Sequence, residues 1–366
     1  MSFTSALLAR LSDATFDEQN GNRDHNRFGP PSFRSRVYSV CRSVAKKIGF
    51  GPYRWVHKVH PRALEKWTAT LPEMEWLYDR LDEESCRILV DVIAFRLMGA
   101  RSVRLSVNKP EYWNKLRQIE SLKQGSVTKP FGFKDWKLEK FDLQSLGYPI
   151  SLFSRPSNIM AQFVLEQYAC DRLSVRVKDG FTVVDGGGCY GDTALYFSHL
   201  TGKNGTVFSF EFVDSNLEHY RENTSLNPEL ESRIAITKHP LWSSSDVKLH
   251  VLDRGPGSEV LPEKPEGVET AVVETLSIDD LVKRNSLDRV DFIKMDIEGA
   301  EFESLKGAEQ TIKAFKPQLA ICVYHSPEDF IRLAKLIHEF EPKYRFAIDH
   351  FTIHAEETVL FARYEE

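Results

Sequence analysis

Three consecutive glycines stand between two acids in Asp185-Gly186-Gly187-Gly188-Cys189-Tyr190-Gly191-Asp192-Thr193. A glycine turn that follows a strand and opens a helix lets the backbone approach a bound nucleoside closely, and Gly186, Gly188 and Gly191 match the dinucleotide fingerprint literally. Alone the match is weak: several nucleotide-binding families use such a turn, and a tight turn without a ligand also fits. The flanking charges discriminate. A dinucleotide would lay its pyrophosphate on this helix N-terminus, where Asp185 and Asp192 would oppose it. S-adenosylmethionine carries an ammonium, a sulfonium and ribose hydroxyls instead of phosphates, and an acid-rich turn suits all three. Glu211, closing the next apolar run, is placed to accept both ribose hydroxyls through its two carboxylate oxygens.

A second acidic strand end reads Lys294-Met295-Asp296-Ile297-Glu298-Gly299-Ala300-Glu301. Ligands in open parallel sheets bind at the carboxyl ends of strands, near the switch in strand order. If this strand neighbours the first, Asp296 projects beside the glycine turn, with Lys294 on the same face. Glu298 and Glu301 fit equally well as first-turn acids favoured by the helix dipole. His325 ends a further strand and titrates near neutrality when unperturbed. A hydroxyl is a poor nucleophile until its proton is being removed, so His325 or Asp296 is expected as the base, with Glu298 or Lys294 orienting the acceptor. His350 and His354 are weaker candidates. A divalent metal could bridge Asp296 and Glu298, but no tight ligand spacing requires one.

These residues need a scaffold, and from about residue 175 the chain supplies one. Apolar runs at 181–185, 206–211, 234–237, 290–296 and 319–324 alternate with helical segments near 192–200, 215–226, 299 onward and 327–340. That alternation is the signature of a parallel sheet with crossover helices, a doubly wound α/β fold. Residues 344–348 and 358–362 close the sheet, the latter hydrophobic enough to sit inside it. The alternating 247–252 reads as an inserted strand, and the Gly- and Pro-rich 255–267 as a loop. Residues 1–150 read as helices and loops, a helical accessory or lid domain before a catalytic domain at 151–366. Its best helix follows Asp82 as N-cap, buries Ile88, Leu89, Val92, Ile93 and Leu97, and stops at Gly99.

Composition narrows the class. The 366 residues exceed what one compact core usually organises. A net charge of −5 exerts no overall pull toward nucleic acid, so none is expected as a partner. Five scattered cysteines never form a Cys-x-x-Cys pair, which argues for reduced thiols and against structural zinc. No run reaches the roughly 18 apolar residues of a membrane span, and the first twenty residues lack a signal-peptide core, so a cytoplasmic protein is expected. Between Gly21 and Lys66 there are eleven Lys or Arg and two acids, with Val37, Val40, Val44 and Ile48 at helical spacing. That helix suits a solvated face packed on the catalytic domain, an anionic polymer, or peripheral membrane contact.

With these residues in place, the region from about 160 to 364 resembles the FkbM family of class I methyltransferases. The likeness rests on 184–193, Phe210-Glu211, Leu241-Trp242, 294–301, Tyr324 to Asp329, and Glu357 to Leu360. The resemblance implies a seven-stranded Rossmann-like sheet, mostly parallel, with one antiparallel strand, the last in sequence. It also implies S-adenosylmethionine held against Asp185 to Gly191, ribose on Glu211 and adenine near Leu241 and Trp242; Asp192, Thr193 and Asp296 are expected at the cofactor as well. The expected reaction is methylation of a hydroxyl on a sugar, glycan or natural-product scaffold. A nicotinamide-dependent oxidoreductase using the same turn and a non-catalytic binding scaffold are the competing readings. Acceptor identity and oligomeric state do not follow from the residues.

Overall fold

The computed structural model describes residues 1–14, 59–100, 102–131 and 136–366. The basic helix expected around 37–48 lies outside them. Strands β1 (Lys123–Phe131), β2 (Trp136–Asp142) and β3 (Ser151–Ser154) form an antiparallel sheet in that order. The main sheet has seven strands: β4 (Thr182–Gly186), β5 (Thr206–Phe210), β6 (Ile234–Thr237), β10 (Phe292–Met295), β11 (Gln318–Cys322), β12 (Tyr344–His350) and β13 (Thr358–Tyr364). Their spatial order is β12-β13-β11-β10-β4-β5-β6, and β13 alone runs against its neighbours. A third sheet, β8-β7-β9, joins β7 (Lys248–Leu252), β8 (Glu259–Leu261) and β9 (Ala271–Glu274) in antiparallel pairs.

Alternation along the strands divides two cores. Val184, Phe208, Ile293, Ile321 and Leu360 face one side, and Val183, Val207, Phe292, Ala320 and Phe361 face the other. The first core is continuous with α1 (Phe3–Ser12) and α2 (Glu83–Met98), whose Phe3, Ile88, Leu89, Val92 and Ile93 are buried in it. Asp82 caps α2 by accepting from the Ser85 N–H at 2.9 Å, and Gly99 ends it at φ +81°. The described N-terminal helices are therefore built into the sheet's own core.

Two sequence expectations change here. The region before 150 is not wholly helical, because β1 and β2 form a hairpin, and β2 pairs with β3 across the boundary expected at residue 150. The hairpin hides from sequence patterning because nearly all of β1 is exposed and it carries Pro130 inside the strand. The expected loop at 255–267 holds the short strand β8, which gains its partner only from β7. Among the described residues no helix is long and apolar enough to cross a membrane. Cys86, Cys170, Cys189 and Cys322 are free thiols.

Candidate active site

The strand order brings the two acidic strand ends together. β10 lies parallel to β4, with Lys294 opposite Asp185 and Met295 opposite Gly186. The Asp296 N–H donates to the Gly186 carbonyl at 3.1 Å. Gly187 sits at φ +88°, and a Cβ there would lie 2.0 Å from the Asp296 carbonyl oxygen. Only glycine permits the turn to pass this close. The turn is also tied to β5, since the Gly187 and Gly188 N–H groups donate to the Phe210 carbonyl at 3.1 and 2.8 Å. Gly191, at φ +84°, precedes helix α3 (Asp192–Leu200), whose first residue is the buried Asp192.

Asp185 is fully buried, with Oδ2 hydrogen-bonded and Oδ1 met only by an ion-pair contact. Oδ2 accepts from Thr193 Oγ1 at 2.8 Å and Ser209 Oγ at 2.9 Å, and Oδ1 lies 3.1 Å from Lys294 Nζ. Lys294 also donates to the Gly186 and Gly187 carbonyls at 2.9 and 2.8 Å. Burial works against its charge, but Asp185 and then Asp296 more than offset this and hold the ammonium above its ordinary pKa. Lys294 is thus a buried strut for the glycine turn, and it also lines the wider of the two cavities at this edge.

Two cavities open at this edge. A narrower one of about 550 Å³ runs from Gly187 past Glu211 to Phe210, Val213, Leu241 and Ile297. Glu211 Oε1 accepts the Phe212 and Val213 N–H groups at 2.7 Å each, and Oε2 accepts from Asn216 at 3.2 Å. Burial outweighs these donors and pushes the carboxyl up to about 7. Burial likewise raises Asp192 to about 6. Leu241 lines the narrow cavity, and Trp242, expected beside it at an adenine, does not. β6 ends before this segment, and the isolated bridge of Leu241 to Leu276 turns Leu241 inward.

The wider cavity, about 1480 Å³, meets the narrow one at Gly187, Cys189, Pro256, Asp296 and Glu298. Its wall combines Trp136, Arg155, Gln162, Tyr168, Asp192 and Thr193 with His325 on the opposite side. Asp296 accepts from Tyr324 Oη at 2.8 Å and Tyr168 Oη at 3.4 Å. Burial holds both phenols well above the usual range, so they remain donors. His325 lies 3.1 Å by Nδ1 from Glu301 Oε1, and 3.5 Å by Nε2 from both Asp296 Oδ1 and Glu298 Oε2. Burial opposes a charge on this imidazole, but Glu301, Asp296 and Glu298 outweigh it and push His325 up to about 10. A proton held there works against the role of base expected for His325. Glu298, strained at φ +55°, is raised by burial to about 7. His350 is buried against Thr358 at 2.9 Å and His354 is also buried; neither lines these cavities.

Sequence reasoning missed Gln162, which lies in a wide helical turn at Met160–Val164 and lines the larger cavity. It is buried, and its Nε2 has no hydrogen-bond partner. A lone amide within the apolar run 159–164 was the available signal. Arg155, stacked 4.2 Å over Trp136, was also missed.

Comparison with known proteins agrees with this architecture. No curated protein matches the chain. In fold it is similar to a methyltransferase FkbM from Methylobacillus flagellatus KT, with 19% identity, a TM-score of 0.52, and coverage of 91% of this chain and 71% of that one. It also shows similarity to Aeropyrum pernix fibrillarin in complex with bound S-adenosyl-L-methionine, at 12% identity, covering 66% of this chain and 96% of that one with a TM-score of 0.37. Residues 185–351 match the family model of the methyltransferase FkbM domain. That span begins at the buried acid of the glycine turn and takes in both acidic strand ends, so the part of the chain that forms the site is the part that matches the FkbM methyltransferase domain.

Proposed function

We propose that the protein transfers a methyl group from S-adenosylmethionine to a hydroxyl of a sugar, glycan or natural-product scaffold. One observation carries the reading: the narrow cavity offers a nucleoside Glu211 and apolar walls, while the adjoining turn opens on the buried acid Asp192. A diphosphate would face that acid, whereas a cationic amino-acid end would not. Phe210, Val213, Leu241 and Ile297 suit an adenine, and Glu211 the ribose. The cofactor, when bound, supplies an already activated methyl group.

The chain's own part is alignment and proton management. Asp296 and Glu298 border both cavities, so an acceptor in the wider one meets them where it approaches the narrower. One of these carboxylates would take the acceptor's proton as its oxygen receives the methyl, which would leave the bound cofactor as a neutral thioether. Tyr324 and Tyr168 fix the Asp296 carboxylate for this encounter. Aromatic faces and amides in the wider cavity suit a polyhydroxylated acceptor.

The test is calorimetry with S-adenosylhomocysteine against NAD and NADP, then mass spectrometry for a one-methylene gain across hydroxylated glycans and metabolites. Binding of the thioether nucleoside and a mass gain are expected. Binding of NAD alone would return the chain to the oxidoreductase reading. Asp296→Asn should lower turnover by about 10²–10⁴-fold and leave S-adenosylhomocysteine affinity within a few-fold. Unchanged turnover would remove Asp296 from the chemistry.

A further inference from the structure

We propose that Asp296, Glu301 and His325 hold a divalent cation at the boundary of the two cavities. One ligand atom from each lies within 4.8 Å of the other two. Donors at roughly 2.0–2.2 Å around one ion stand about 3 to 4.4 Å apart, so small rotamer changes close the set. A second observation is independent of the clustering. Glu301 is wholly buried, its Oε1 accepts the Ile297 N–H at 2.9 Å, and its Oε2 has no hydrogen-bond partner. Leaving a buried carboxylate oxygen unpaired is costly. The His325 nitrogens also lie outside hydrogen-bonding geometry despite their ion-pair contacts.

The fold supplies what a working site needs beyond ligands. Tyr324 and Tyr168 donate to Asp296 and orient it, as outer groups orient metal-bound carboxylates. Glu301 is wholly buried and lines neither cavity, whereas His325 lines the wider one and Asp296 and Glu298 border both, so the site keeps an open face. Two carboxylates and one imidazole suit a hard or borderline ion such as Mn²⁺. Asp296, Glu298 and Glu301 crowd around the imidazole and supply the negative charge that draws in a cation. For catalysis the inference rests on the methyltransferase reading. The ion would polarise the acceptor oxygen, and Glu298, 3.5 Å from His325 Nε2, would take its proton.

Full-length protein stripped with EDTA and titrated with MnCl₂, followed by the electron paramagnetic resonance of free Mn²⁺, tests the site. One bound Mn²⁺ per chain is expected, with a raised thermal midpoint. Glu301→Gln and His325→Ala should each weaken binding at least tenfold, with circular dichroism reporting that both fold. Absence of binding to the wild type, or equal binding by both folded variants, would overturn the site. S-adenosylhomocysteine calorimetry in EDTA separates the two readings: retained nucleoside binding without Mn²⁺ binding sinks the metal and leaves the methyltransferase. If methyl transfer is detected, EDTA should cut it at least tenfold and Mn²⁺ restore it; full activity in EDTA would remove the ion's catalytic role.

Discussion

At the scale of single residues, the site separates groups that hold the turn from groups that meet a ligand. Lys294 and Asp185 belong to the first kind. Replacing Lys294 with Met leaves the fully buried Asp185 without its counter-charge, and urea denaturation should show a loss of about 3–5 kcal/mol. Glu211 belongs to the second kind. Its value of about 7 in the fold lies above its ordinary 4.5, so the folded chain retains a proton that the unfolded chain releases between those pH values. Through this group, the ligand-free fold loses stability as pH rises across that window, with no further change above it. On the proposed function a ribose would donate to the ionised carboxylate, so S-adenosylhomocysteine affinity should fall as pH drops below about 7. Binding near pH 6 should release a proton, visible as a buffer-dependent enthalpy. Glu211→Gln should flatten both dependences and weaken affinity at pH 8 by roughly 10–100-fold, the worth of hydrogen bonds to a charged group. The sequence made the positions of Asp185, Glu211 and Asp296 legible because each ends an apolar run. It could not reveal that Lys294 is spent on the turn, or that three acids crowd His325, because those facts arise only when β10, β11 and the following turns come together.

Elements were legible in proportion to how their partners mark them. β4, β5, β10 and β11 are buried on both faces, so they read as apolar runs bounded by turns. β1 and β8 carry no such mark, since neighbouring strands and not a buried face hold them. The glycine turn tests how tightly β4 and β10 are matched. Gly187→Ala places a Cβ against the Asp296 backbone in a left-handed conformation, a strain of about 1–3 kcal/mol before the clash is relieved. S-adenosylhomocysteine binding should fall at least tenfold while circular dichroism stays native, with calorimetry as the measure. Unchanged affinity would show that the strand end yields without disturbing the cavity.

Across the whole molecule, the described N-terminal helices and the sheet share one core, and Arg96 pins them near the active edge. Its guanidinium donates from α2 to the Tyr324 carbonyl at 2.9 Å and the Ala355 carbonyl at 2.5 Å. Arg96→Ala should cost about 2–4 kcal/mol by leaving two partly buried carbonyls unsatisfied, and Arg96→Lys should recover part of that, because both contacts come from the single nitrogen Nη2. Paired urea titrations measure both. That shared core was not legible in the sequence, because it leaves no mark in the local patterning of either part. The position of β13 has a consequence for biogenesis. It enters between β11 and β12, both made earlier, so a chain emerging from the ribosome carries two apolar strand borders with nothing between them until residues 358–364 arrive. Chains halted before that segment should aggregate or recruit chaperones, and the fold should lock in one late step.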